Sequence, residues 1–208
     1  MIEVIPSILS PTLEDAQRKL DLCRGQVQSV HLDIADNTFV KNKTFALEEF
    51  SRLRTDLVIR PHLMVSNPLG VASHLIGKVP SVFFHYEAVK NFRETLEALN
   101  QHFHVGVVLN IETPARVLFA HLDKIEFVLI MTVTTGFGGG KFNAEPLKKI
   151  LHLKTLKPDL VIGVDGGVNI KTTEIIKQYP VDFVTPGMAL FGAPDFAKAL
   201  EELRAALS

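Results

Sequence analysis

The sequence predicts an α/β protein, a (β/α)8 barrel built as one domain over residues 1–208. Three observations predict it. Short β-branched runs alternate with amphipathic stretches whose apolar residues recur at helical spacing, the pattern of a parallel sheet covered by helices. The alternation repeats eight times, which favours a closed barrel over an open doubly wound sheet, although 208 residues stands at the short end of the roughly 200 to 400 usual for barrels. No linker or low-complexity stretch interrupts the series, and a hydrophobic share of 47% supplies one sizeable core.

The first strand is read at Val4–Ile5 and leads to a helix over Leu13–Leu22. Val27–Asp33 and Glu48–Leu53 form the second strand and helix, Leu57–Met64 and Leu69–Ile76 the third pair, and Val82–Tyr86 and Phe92–His102 the fourth. Val105–Leu109 precedes a helix over Pro114–Ala120, where Thr113 is placed to cap and Pro114 is preset for the first helical position. Phe127–Met131 is followed by Pro146–Leu153, Leu160–Val164 by Thr172–Gln178, and Val181–Val184 by Asp195–Ala206, entered through Ala193-Pro194-Asp195.

Composition narrows the function classes. Lys plus Arg (22) nearly cancel Asp plus Glu (23), and no basic block appears, so neither a nucleic-acid backbone nor an anionic membrane is an expected partner. Apolar runs such as Phe127–Met131 stop far short of the roughly 20 residues of a membrane span, and Met1-Ile2-Glu3-Val4-Ile5 lacks a basic leader, so a cytoplasmic location is expected. Cys23 is the only cysteine, which leaves His, Asp and Glu as metal ligands.

In a barrel, strand C-termini face the active site. Those positions hold Ser7, His31, Asp33, His62, Met64, His85, Glu87, Asn110, Met131 and Asp165. In His31-Leu32-Asp33, residues two apart project to the same side, so imidazole and carboxylate point together into the mouth. His62 with Met64 repeats that geometry, and Asp165 completes two His and two Asp from three strands, a site suited to zinc, iron, manganese or cobalt. Taken singly, each is as readily a satisfied core histidine or a turn-forming aspartate; together on one rim they read as a site. Gly136-Phe137-Gly138-Gly139-Gly140, Asp165-Gly166-Gly167 and Gly187 allow close backbone approach. They are either flexible loops or, from their place after the last strands, a cradle for a phosphorylated small molecule.

These residues carry a resemblance: the chain is similar, nearly end to end, to the ribulose-phosphate 3-epimerase family. The similarity runs through Pro6-Ser7-Ile8-Leu9-Ser10, His31-Leu32-Asp33 with Phe39-Val40 and Asn42, His62-Leu63-Met64-Val65, His85-Tyr86-Glu87-Ala88, Met131-Thr132-Val133, Gly136-Phe137-Gly138-Gly139 and Val164-Asp165-Gly166-Gly167. The resemblance implies a divalent metal held by His31, Asp33, His62 and Asp165, and inversion at carbon 3 of a ketose phosphate with Asp33 and Asp165 as base and acid on opposite faces. It also implies a sugar pocket involving Ser7, Met64 and Met131, for whose methionines plain core packing is an equal reading. Phosphate contacts would come from Gly138, Gly139, Gly166, Gly167, Gly187 and the Met188 amide, and the family suggests a homo-oligomer.

This chain also departs from the family pattern. Ala35-Asp36-Asn37 stands for Met-Asp-Gly, which removes one pocket sulfur, and Lys41 stands for a proline. Thr134-Thr135 replaces Asn-Pro, Gly140 replaces Gln, and Gly187-Met188 replaces Gly-Ser, all on the lid and phosphate side. Two other classes therefore stay open. Sugar-phosphate decarboxylases of the same barrel carry Asp-x-Lys-x-x-Asp on the second strand, where this chain has His31-Leu32-Asp33-Ile34-Ala35-Asp36 with Asp33 at the lysine position. A non-catalytic barrel would have no need of opposed aspartates.

Overall fold

A computed structural model describes residues 1–136 and 140–208. Among them run nine parallel strands: β1 (Glu3–Val4), β2 (Ser7–Ile8), β3 (Ser29–Ala35), β4 (Val58–Met64), β5 (Ser81–His85), β6 (His104–Leu109), β7 (Phe127–Met131), β8 (Val161–Asp165) and β9 (Phe183–Thr185). Each pairs with its sequence neighbour from β2 to β9, and β9 pairs back with β1. The two sheet ends are one stretch of chain. On one side, the amides of Glu3, Ile5 and Ser7 donate to Asp182, Val184 and Pro186; on the other, the His31 amide donates to the Pro6 carbonyl at 2.9 Å. Residues 3–8 thus act as a single strand that closes an eight-fold barrel, interrupted at Pro6, which has no N–H to offer. The expected strand Val4–Ile5 marks this seam but underestimates its length.

Alternate residues along each strand sort into two apolar populations, as a pleated strand requires. Val30, Leu32, Leu63, Phe84, Val107, Val128, Ile162 and Val184 face outward into the large core under the helices. Ile5, Phe83, Val108, Leu129, Met131 and Phe183 face inward and plug the barrel. Phe83 and Phe183 meet edge to face at 6.2 Å between centroids. Room for them is made by glycine: a Cβ at Gly106 would lie 2.2 Å from the Phe83 ring, and one at Gly163 would lie 2.2 Å from Phe183. Met131 of the plug reaches the end of β7, but inward positions toward the C-termini of β3, β4 and β8 hold polar side chains, Asp33, His62 and Asp165.

Among the same residues seven α-helices follow the strands: α1 (Leu13–Cys23), α2 (Pro68–Ser73), α3 (Phe92–Asn100), α4 (Lys148–Leu156), α5 (Ile170–Ile176), α6 (Met188–Phe191) and α7 (Phe196–Leu207). Side-chain caps start several, with Thr12 bonding the Asp15 amide, Asn67 that of Gly70 and Asp195 that of Lys198. Two expected α-helices are corrected to 3-10 turns, Leu47–Arg52 in place of Glu48–Leu53 and Ala115–Lys124 in place of Pro114–Ala120. Neither has a side-chain cap. Thr113, expected to supply one, donates its hydroxyl to Glu87 instead. Among the described residues no helix is long and apolar enough to cross a membrane.

Candidate metal centre and active site

Strand register assembles the site. Asp33 on β3 lies opposite His62 on β4, Ser7 on β2 lies opposite His31, and Asp165 on β8 lies between Met131 and Thr185. Each of His31, Asp33, His62 and Asp165 offers a ligand atom within 4.8 Å of the others, and all four residues are buried. The four residues that local spacing singles out thus converge. His62 Nδ1 is 3.0 Å from Asp33 Oδ1 and 3.5 Å from Asp165 Oδ2, while the Ser7 hydroxyl donates to Asp33 Oδ2 at 2.8 Å. His31 stacks edge to face on Phe83, 5.1 Å away.

The electrostatics of this cluster favour a cation. Burial, followed by repulsion from His62 and Arg60, pulls His31 well below the usual imidazole range, so it presents a neutral ring. Both its ring nitrogens are buried without a hydrogen-bond partner. Burial first and the Asp33 carboxylate second push Asp165 above the usual carboxylate range, against the opposing pull of His62 and Thr185. Unpartnered imidazole nitrogens beside two desolvated carboxylates are a costly set for a protein core and a matched N/O donor set for a divalent ion. The donor chemistry fits the metal that the sequence suggests.

Above the cluster a cavity of about 440 Å³ opens, lined by Ser7, Asp33, His62, Met64, Met131, Asp165, Gly166, Gly167, Gly187 and Met188 among others. Every expected substrate residue within the described chain is therefore on the wall; Gly138 and Gly139 lie outside the described residues. Met131 combines the two roles weighed for it, packing on the barrel plug and lining the cavity. Gly166 and Gly167 adopt φ of 103° and 67°, and a Cβ there would press on Val133 and Phe142. Asn37, standing for the family's glycine, takes φ 61°, a conformation asparagine tolerates. Asn42 donates to the Gly136 carbonyl at 2.9 Å, joining the loop after β3 to the loop after β7.

Sequence reasoning places His85 and Glu87 on the rim without giving them a partner. His85 Nε2 lies 2.8 Å from His62 Nε2. Burial pulls His85 down to about 4 against the opposing effect of Glu87. Lys19 and Phe191, also on the cavity wall, carry no signal in the sequence that marks them as site residues.

Comparison with known proteins agrees with this geometry. The family model described as the Ribulose-phosphate 3 epimerase family matches residues 3–191. A Bacillus subtilis (strain 168) protein named ribulose-phosphate 3-epimerase is 35% identical, covering 98% of this chain and 99% of its own length. The Escherichia coli (strain K12) protein of the same name is 30% identical over 99% of this chain and 96% of its own. Among solved structures, 3-keto-L-gulonate-6-phosphate decarboxylase from Vibrio cholerae superposes with a TM-score of 0.73 at 14% identity, covering 100% of this chain and 96% of that one, a likeness of fold.

Proposed function

Because the chain belongs to the ribulose-phosphate 3-epimerase family, we propose that it interconverts D-ribulose 5-phosphate and D-xylulose 5-phosphate by two-base proton transfer through an enediolate. The observation that carries this reading is the convergence of two buried aspartates and two buried histidines in one cluster, of which Asp33, His62 and Asp165 line the cavity. In it, His31, Asp33, His62 and Asp165 hold a divalent ion. When bound, that ion supplies positive charge to offset the negative charge developing on the ketone oxygen.

Asp33 and Asp165 act as the proton carriers. One carboxylate accepts the proton from carbon 3 on one face of the sugar and the other returns a proton from the opposite face, so the configuration inverts. Ser7 orients Asp33 through its 2.8 Å hydrogen bond. Met64 and Met131 exclude water from the sugar, and the backbone amides around Gly166, Gly167, Gly187 and Met188 take the phosphate. The decarboxylase alternative is disfavoured by Asp33, which puts a carboxylate where that chemistry uses a lysine. A cytoplasmic location and a homo-oligomeric state belong to the same reading; a lone monomer in sedimentation at micromolar protein would contradict the latter.

In deuterated water the metal-loaded protein is expected to place deuterium at carbon 3 of either ketose phosphate. Asp33→Asn and Asp165→Asn should each slow epimerisation by about 10²- to 10⁴-fold, the usual contribution of a positioned acid or base, with metal content measured in each variant. Full activity in either metal-loaded variant would falsify the two-base assignment, and carbon dioxide release from a keto-acid sugar phosphate would transfer the chain to the decarboxylases.

A further inference from the structure

Behind the four candidate ligands lies a second row, the buried His85 and the half-buried Glu87, that the proton transfers do not use. His85 ends β5, and Glu87 sits in the turn Tyr86–Ala88 that follows. The His62 and His85 rings stack 5.0 Å apart at 24°, with their Nε2 atoms 2.8 Å from one another. On the far side of His85, Nδ1 faces Glu87 Oε2 at 3.5 Å, and neither atom makes a hydrogen bond among the described residues. The other carboxylate oxygen, Oε1, accepts from the Asn110 amide at 2.9 Å and from the Thr113 hydroxyl.

A contact between two ring nitrogens needs one N–H and one lone pair, and a neutral imidazole has one of each. The row therefore has two self-consistent polarities. In the first, His62 carries its proton on Nδ1 and donates to Asp33, His85 donates from Nε2, and the His85 Nδ1 lone pair confronts the Glu87 anion. In the second, every direction reverses: His62 donates from Nε2 to His85, His85 donates from Nδ1 to Glu87, and the His62 Nδ1 lone pair points at Asp33 and Asp165. The first gives Asp33 its donor at 3.0 Å, which a cation would replace; only the second leaves Nδ1 free to ligate, and only the second turns an N–H toward Glu87.

We propose that Glu87, acting through His85, is a positioning residue that holds His62 in the Nε2–H tautomer and so presents its Nδ1 lone pair to the cation. The inference rests on the metal reading above. It assigns to Glu87 and His85 the hydrogen-bonding partnership that fixes ring orientation and raises the basicity of ligating histidines.

Glu87→Gln is the discriminating change. The Asn110 amide keeps the carbonyl of Gln at the Oε1 place, so its NH2 group faces His85 Nδ1 with a donor. That donor drives the row into the first polarity. Zinc and manganese titrations should show affinity falling about 10- to 100-fold in this variant, the usual cost of removing such a partner. In 15N spectra of the zinc-loaded parent the protons of His85 and His62 should sit on Nδ1 and Nε2, and in Glu87→Gln that pattern should need a correspondingly higher zinc concentration. Parent spectra with the opposite protons, or unchanged affinity in Glu87→Gln, would overturn the proposal. The parent spectra need no variant, so a poorly folding Glu87→Gln leaves the test intact. A parent that binds neither ion overturns the metal reading and this proposal with it, an outcome distinct from a parent that binds zinc with unchanged affinity in Glu87→Gln.

Discussion

At the scale of single residues, the site depends on positions that carry no chemistry. Gly163 is two residues before Asp165 on β8, and its missing side chain is where the Phe183 ring sits; a Cβ would come within 2.2 Å of that ring. Phe183 is almost fully buried and cannot swing outward. Gly163→Ala should therefore overpack the plug and cost about 1 to 3 kcal/mol. For a chain of this size each kcal/mol lowers the melting temperature by about 2 to 4 °C. Thermal melts of Gly163→Ala, Phe183→Leu and the double variant check this, because trimming the ring should recover part of the loss and the two costs should not add. Additive costs, or an unchanged melt for Gly163→Ala, would mean that the two residues do not compete for space.

At the scale of elements, the anchoring of α1 shows how far a sequence can be read. Asp15 in its first turn accepts from the Ser10 hydroxyl and pairs with Arg18 and Lys19, all at 2.7 Å, while Lys19 also donates to the Leu9 carbonyl at 2.7 Å. Burial alone would raise Asp15, but the hydrogen bonds from Lys19, Arg18 and Ser10 outweigh it and hold the carboxyl at about 2. The folded value lies below the ordinary 3.8, so the stability it contributes is present above that pH and is lost as pH falls toward 2. Allowing for solvent screening at this partly exposed side chain, Asp15→Asn should cost about 1 kcal/mol at pH 7. The difference in urea midpoint from the parent should narrow below pH 4, and a difference constant with pH would refute the ionic origin. None of this is legible from periodicity, which yields the helix but neither its Thr12 cap nor the strand-end carbonyl it grips. The same limit explains the site. His31 and Asp33 can be paired because alternation on one strand is local, whereas His62 meets His85 only through a register that sets His62 against Phe83 and leaves His85 diagonal to it. Thr113 reads as a cap for the same reason, since its actual acceptor, Glu87, lies on another βα unit.

At the scale of the whole molecule, the barrel is unevenly held. β3 and β4 share seven register pairs, whereas closure depends on β1 and β2 of two residues each and β9 of three. The candidate ligands straddle this seam, with His31, Asp33 and His62 on one side and Asp165 on the other. Eight repeats in the sequence foretell closure, but the weakness of the seam follows from Pro6 and from strand lengths that only pairing reveals. A cation bound by all four residues would tie β8 to β3 and β4 across the seam, and it would be bound by the folded chain in preference to the unfolded one. At a free metal concentration 100 times Kd, linkage then adds about 2.7 kcal/mol, roughly 5 to 11 °C in melting temperature for this length. If residues 1–208 are one domain, the gain should appear as a single shifted transition, reversed by chelator and absent from a His31→Ala/His62→Ala variant. Hydrogen exchange adds a spatial readout, since the amides of Ile5 and Ser7, which bridge the seam to Val184 and Pro186, should slow more on metal addition than those of the long β3–β4 ladder. Slowing spread evenly over the molecule would mean that the ion stabilises the fold without bracing its seam, and an unshifted melt would remove the metal from these four side chains.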